Sequence, residues 1–301
     1  MMNDGLTLDQ IQLLLTVADE GSFSGAARKL RRAQSAVTYG VQKLEQQIGV
    51  SLFDRSGYRP ALTEAGRALL ARARRIAEET AAFRDQARSL AGGLESELTL
   101  VLDSMFPMAR MVAALRAFTD AFPTVTPRIF VQSLGASAEL VLDGTCMIGL
   151  VPEAFTDQPE LKRYPLSTVQ LLPVVAQHHP LAAIEGPIPT DVLRRYVQLV
   201  LTDRSALTEG RDYGVLSTQT WRLADLGTKH AMLLAGLGWG SMPTHLVAED
   251  VEAGRLRLIH PLEFEDRTAQ LVMTAAHLAA RPLGPAAQWM LNYLRTQTPR
   301  G

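Results

Sequence analysis

Six side chains that can donate or accept hydrogen bonds, Gln34, Ser35, Thr38, Tyr39, Gln42 and Lys43, recur at steps that place them along one side of an α-helix. Amides and hydroxyls in that arrangement suit base edges in a major groove, and a lysine suits phosphate. Val37, Val41, Leu44 and Ile48 lie at i, i+4, i+7 and i+11 and stop at Gly49, so the apolar stripe faces inward and the polar row outward. Arg31 and Arg32 precede this helix, and Arg55 and Arg59 follow it in the turn-rich stretch from Asp54 through Tyr58 to Pro60. These four are candidates for phosphate contacts, with a solvated loop as the plainer reading of the last two.

Such a face needs elements that hold it out. Leu8, Ile11, Leu14, Leu15 and Ala18 have the spacing of an amphipathic first helix that ends near Gly21. Ser22 or Ser24 can cap a second, short helix whose buried face is Phe23, Ala26, Ala27 and Leu30. Small residues let two helices cross closely, as in a helix-turn-helix, although a generic three-helix bundle shows the same periodicity. Val50, Leu52 and Phe53, then the turn and Leu62, read as a short β-hairpin wing. Charge supports a polyanionic partner: residues 28–75 carry 11 Lys and Arg against 3 Asp and Glu, in a chain of net charge −1. Arginines on a wet helical surface are the alternative.

Ala26-Ala27 with Leu30, Gln34-Ser35-Ala36-Val37-Thr38, Leu44-Glu45, Gly49, Leu52-Phe53 with Arg55, and Leu62-Thr63-Glu64-Ala65-Gly66 together resemble the LysR-type bacterial transcriptional regulators. The motif covers about the first 65 residues; the rest agrees in length and pattern. Two positions depart from it: Ala33 stands where a capping Ser or Thr is common, and Gly40 falls within the recognition helix. The resemblance implies an α/β protein with an N-terminal winged helix-turn-helix domain (1–62), a linker and dimerisation helix (63–92) and a C-terminal two-lobed effector domain of periplasmic-binding-protein type (93–301). Its lobes would be about 93–165 with 269–301, and 166–268. It also implies double-stranded DNA, a small organic effector and RNA polymerase as partners, and a homodimer within a homotetramer.

From Thr63 to Ala91 there is no proline, and Leu62, Leu69, Ile76, Phe83 and Leu90 are spaced by seven, with Gly66, Ala73, Thr80 and Ala87 four residues after each large one. That is the seam of a coiled-coil linker; packing on its own domain is the alternative. Leu69, Ala73, Ile76, Thr80 and Phe83 are therefore expected at the dimer contact, and Gly92-Gly93 at its end.

Fifteen of the 16 prolines lie at or after Pro107, and the pattern there alternates strand and helix. Strands are expected at 97–103, 126–132, 146–151, 169–176, 197–202 and 269–274, with a helix at 108–122 and crossings between lobes near Pro165–Thr168 and Asp266–Thr268. In such folds ligands sit beyond strand ends. Four loops qualify, contributing Ser104, Met105 and Phe106; Ser133 and Leu134; Thr202 and Asp203; and Ser241 and Met242. Hydroxyls and helix N-termini there could hold a carboxylate, and the apolar neighbours point to an aromatic or otherwise hydrophobic acid. Capping roles for the serines, and core roles for the apolar residues, are the plainer readings.

The sequence offers little to catalysis. No serine sits in a Gly-x-Ser-x-Gly elbow, no glycine-rich loop carries the phosphate-binding lysine, and His178 and His179 are adjacent, with no partner at metal-ligand spacing. His230, His245, His260 and His277 are isolated in sequence, and Cys146 is the single cysteine. No catalytic residue, metal ligand or cofactor is expected. An acidic start and the lack of a long apolar run point to a cytoplasmic protein without a membrane partner. An architectural DNA binder without small-molecule control, and a solute-binding protein, are the competing readings.

Overall fold

The computed structural model describes residues 5–57, 59–264 and 269–297. Tyr58, the expected crossing at Asp266–Thr268 and the side chain of Leu90 lie outside the described parts. The chain divides into two compact units between Ala91 and Gly92.

The first unit contains α1 (Leu8–Glu20), α2 (Phe23–Leu30), α3 (Gln34–Ile48), the hairpin β1 (Phe53–Asp54) and β2 (Ala61–Leu62), and α4 (Glu64–Ala91). Thr7 and Gln10 form a reciprocal capping box at the start of α1, and Gly21 ends it in the left-handed region. Ser22, rather than Ser24, caps α2 by accepting from the Gly25 N–H at 3.0 Å. Arg31 takes the left-handed conformation, φ 54°, that turns the chain into α3. Ala33 caps α3 without a side-chain bond, yet the helix runs unbroken through Gly40. The glycine has a steric reason: a Cβ there would lie 2.3 Å from Leu13 Cδ1, so its absence lets α1 and α3 approach. Ile11, Leu14, Val17, Ala26, Ala27, Val37, Val41, Leu44, Leu52 and Phe53 close the core, whereas Leu8, expected on the inner face of α1, is exposed.

Helix α4 divides the heptad seam. Ala73 is buried in the core of this unit, with Leu69, Leu70 and Ala77 packed against it, and α1 packs on α4. Ala73 is thus spent on its own domain, a correction to its expected place in a dimer seam, while Leu69 is half-buried against the same core. Ile76 and Phe83 remain exposed, Phe83 by 73%.

The second unit is built on a seven-stranded mixed sheet. In chain order it contains β3 (Glu97–Asp103), α5 (Met108–Ala121), β4 (Thr126–Gln132), α6 (Gly135–Leu142), β5 (Ile148–Pro152), β6 (Leu161–Ala176), β7 (Pro187–Ile188), α7 (Thr190–Leu193) and β8 (Gln198–Leu201). Then follow β9 (Thr220–Leu223), α8 (Leu226–Leu234), β10 (Gly240–Pro243), α9 (Thr244–Glu252), β11 (Leu256–Leu258), β12 (His260–Pro261), β13 (Ala269–Leu278) and α10 (Pro285–Thr296). Strand β3 runs parallel between β4 and β5, and β13 pairs antiparallel with β5 and β6. The 16-residue β6 is the shared member: its first part pairs with β13 and its last part with β10 and β11. Pro165–Thr168 lies inside β6, where the register with β13 shifts by one residue at Leu166. Pairs β8–β9 and β7–β12 are parallel.

Gly240–Pro243, expected as a loop, is strand β10. A Cβ on Gly240 would meet the Leu199 carbonyl oxygen at 2.6 Å, which explains why the position carries none. Strand alternation then turns Met242 into the core beside Leu199, Leu226 and Leu233, while Ser241 faces the other way.

Candidate functional site

Two regions place chemistry-bearing side chains together, one in each unit. On α3 the inward stripe of Val37, Val41 and Leu44 is buried, and the opposite face presents Gln34, Ser35, Tyr39, Gln42 and Lys43 to solvent, with Thr38 half-buried. Among the described residues none of these six side chains has a hydrogen-bond partner, and Tyr39 is 67% exposed. Unused donors and acceptors on one face of a rigid helix are what base-edge recognition requires.

The four arginines differ. Arg31 and Arg59 are exposed and have no ion-pair partner among the described residues. Arg32 is held by Asp9 through two bonds of 2.7 and 2.8 Å, which also keep the Asp9 carboxyl below its usual range. Arg55 pairs with Glu45 at 2.9 Å and lies over the Phe23 ring at 5.0 Å. Glu45 also accepts from the Leu52 and Phe53 N–H groups, so Arg55 helps fasten the hairpin to α3. Arg32 and Arg55 therefore have structural work that the sequence did not reveal.

In the second unit the loops after β3 and β4 meet the N-terminus of α6. Asp103, 1% exposed, accepts from the Met105 N–H at 2.8 Å and the Leu134 N–H at 2.6 Å. Burial outweighs those bonds and, with repulsion from Asp203, pushes the Asp103 carboxyl up to about 7. Leu134 caps α6 at φ 55°, a strained value for a leucine. Ser104 and Ser133 bond to each other through their hydroxyls at 2.8 Å. The loop after β8 lies directly on α6: Asp203 accepts from the Ala136 N–H at 2.7 Å, and the Ala206 N–H donates to Glu139 at 2.7 Å. Asp203 also accepts from the Thr208 hydroxyl.

Two cavities flank this junction. A polar one of about 590 Å³ is lined by Thr202, Asp203, Arg204, Arg211, Asp212 and Arg222, of which Asp212 and Arg222 are paired. An apolar one of about 300 Å³ is lined by Met105, Leu134, Phe155, Leu199 and Leu201, with Tyr213 edge-on to Phe155 and Lys229 and Ser241 on its wall. Met105, Leu134 and Ser241 line the apolar cavity, and Thr202 and Asp203 the polar one. Ser104 and Ser133 line neither. Phe106 and Met242 are corrections: Phe106 packs among Leu100, Leu102 and Met111, and Met242 beneath β10, because each points to the inner side of its strand end. Lys229 is the residue that sequence reasoning missed; its signal is a lone cation in the apolar run of α8.

Three of the six histidines have local partners. His179 accepts from the Leu181 N–H, His230 pairs with Asp250 at 2.7 Å, and His277 stacks on Tyr164. Among the described residues no group of three or more His, Cys, Asp or Glu could hold a metal ion. No helix among them is long and apolar enough to cross a membrane.

A winged three-helix unit with a free polar helix face, joined by a long helix to an α/β unit with cavities at strand ends, is the architecture of a ligand-responsive DNA-binding regulator. Residues 8–67 match the bacterial regulatory helix-turn-helix proteins of the lysR family, and residues 91–299 match the LysR substrate binding domain. The chain is 29% identical over 294 residues to the probable HTH-type transcriptional regulator YhaJ of Escherichia coli (strain K12), covering 95% of each. It is 30% identical over 291 residues to the HTH-type transcriptional regulator PunR of the same strain, covering 94% of this chain and 91% of that one. Its fold is similar to that of a Corynebacterium glutamicum OxyR C206 mutant, with TM-score 0.55 at 22% identity over 98% of this chain and 94% of that one. The chain belongs to the LysR family of transcriptional regulators.

Proposed function

We propose that this protein is a sequence-specific DNA-binding regulator of transcription, controlled by a small organic effector held between the two lobes of residues 93–301 and not chemically altered there. The unpartnered polar row Gln34, Ser35, Thr38, Tyr39, Gln42 and Lys43 carries the reading: it projects from a packed core, with Arg31 and Arg59 free for phosphate. The effector half is supported by the apolar cavity at the strand ends, bounded by Met105, Leu134 and Ser241. Exposed Ile76 and Phe83, with Thr80 beside them, supply the contact for a homodimer, itself half of a homotetramer. RNA polymerase is the further partner such a regulator implies, and the cytoplasm its compartment.

A ligand acts only by preferring one arrangement, so closing the lobes must favour one disposition of the DNA-binding domains. Footprinting on the DNA upstream of the gene, with and without small organic compounds, tests both halves. A short protected site whose edges shift with one compound is the expected result; uniform, sequence-tolerant protection would leave an architectural binder.

A further inference from the structure

We infer that the apolar cavity takes an organic monoanion, a carboxylate or phenolate on an apolar body, and that Lys229 is its counter-ion. This rests on the effector reading above and names the chemistry of that site.

Lys229 lies on α8 and is 5% exposed. Its stem packs on Gly240, and its ammonium donates to one group among the described residues, the Ser241 carbonyl oxygen, at 2.7 Å. An ammonium has three protons to donate, and no carboxylate lines the cavity it borders: of the lining side chains Lys229 alone carries a charge. The cost of holding it there shows in its acidity, since burial pushes it down to about 8. A buried, half-satisfied cation destabilises a fold unless something anionic joins it, and a methionine would fill the same space without that penalty. The hydroxyl of Ser241, on the same wall, has no partner among the described residues and can donate a second bond.

The alternative anion seat, the N-terminus of α6, is already taken. Asp103 holds the Leu134 N–H and Asp203 the Ala136 N–H, so two carboxylates stand where a ligand's acid group would have to come. An incoming anion finds those N–H groups occupied and is attracted instead by Lys229. The apolar body then lies against Met105, Leu199 and Leu201, with the Tyr213–Phe155 pair at its edge.

The test is calorimetric titration of the full chain with benzoate and 2-naphthoate against benzamide and 2-naphthamide, which keep the shape and lose the charge. The wild type should bind at least one acid tenfold or more tightly than its amide. K229M should erase that preference while binding the amide as well or better, K229R should retain it, and the thermal midpoint of K229M should equal or exceed the wild type's. Acids no better than amides in the wild type, or a preference that survives in K229M, would overturn the assignment; the first comparison needs no variant. The outcomes separate from those of the effector reading: a neutral or cationic compound that shifts the footprint would keep that reading and sink this one. An acid that binds through Lys229 without moving the footprint would do the reverse.

Discussion

Asp103 and Asp203 accept hydrogen bonds from two N–H groups one residue apart from being neighbours, those of Leu134 and Ala136, at 2.6 and 2.7 Å. One carboxyl group ends β3 and the other follows β8, so the start of α6 is a point where separate segments of this unit are stitched together by hydrogen bonds. The helix has no side-chain cap of its own, and Asp203 supplies one from elsewhere in the chain.

Stability should respond to pH through Asp103. Its folded value, about 7, lies above its unfolded one, so the native state holds a proton between roughly pH 4 and 7 that the unfolded chain has lost. Its contribution is present at the acid end and disappears as pH rises through 7, on the order of 2 kcal/mol between pH 5 and 8. Urea denaturation of the wild type and D103N at those two pH values should show the smaller fall in the variant. An equal fall in both would mean that Asp103 is ionised throughout.

Removing the borrowed cap should loosen the same junction. D203A should lower stability by about 1 kcal/mol, the ordinary cost of losing an N-cap, and should speed amide exchange at Ala136. Unchanged exchange there would show that the bond contributes nothing in solution.

G66A should be destabilising despite alanine's better helix propensity. A Cβ at residue 66 would lie 2.1 Å from the Leu52 carbonyl oxygen, and backbone cannot rotate away as a side chain can. The loss should be about 2 kcal/mol or more by denaturation, against a propensity gain of about 1. A net gain would mean that α4 and the hairpin sit further apart.

The two halves of the α4 seam should separate by mutation. A73D should unfold the first unit, because Ala73 is in its core, whereas I76D should leave it folded and release monomers. Circular dichroism and sedimentation together read the difference. An I76D assembly of unchanged size would place the dimer contact elsewhere.

The helix-turn-helix was legible because its signal is local: Val37, Val41 and Leu44 repeat with the helical period, and Gly21 and Gly49 end helices where the chain must turn. Strands β3 and β4 were legible to the residue for the same reason. What sequence could not show was which partner a residue meets across the fold. Nothing in the heptads says that Ala73 is buried in the core of its own unit, with Leu69 packed against it, while Ile76 is left bare. Ser241-Met242 looks like a loop because glycine and proline flank it, yet Gly240 is there to admit the Leu199 carbonyl and the segment is a strand. Arg55 looked like a free cation until Glu45 and Phe23 came beside it, and Lys229 stood out only once the cavity gave it an apolar, carboxylate-free surround.

The central claim is that α3 reads sequence. The most direct measurement is the affinity of the wild type, Q34A, T38A and R59A for the protected upstream site and for random DNA at several salt concentrations. Q34A and T38A should lose about 1–3 kcal/mol on the site and much less on random DNA, while R59A should weaken both alike and flatten the salt dependence. Equal losses on both DNAs for the two helix variants would contradict the account.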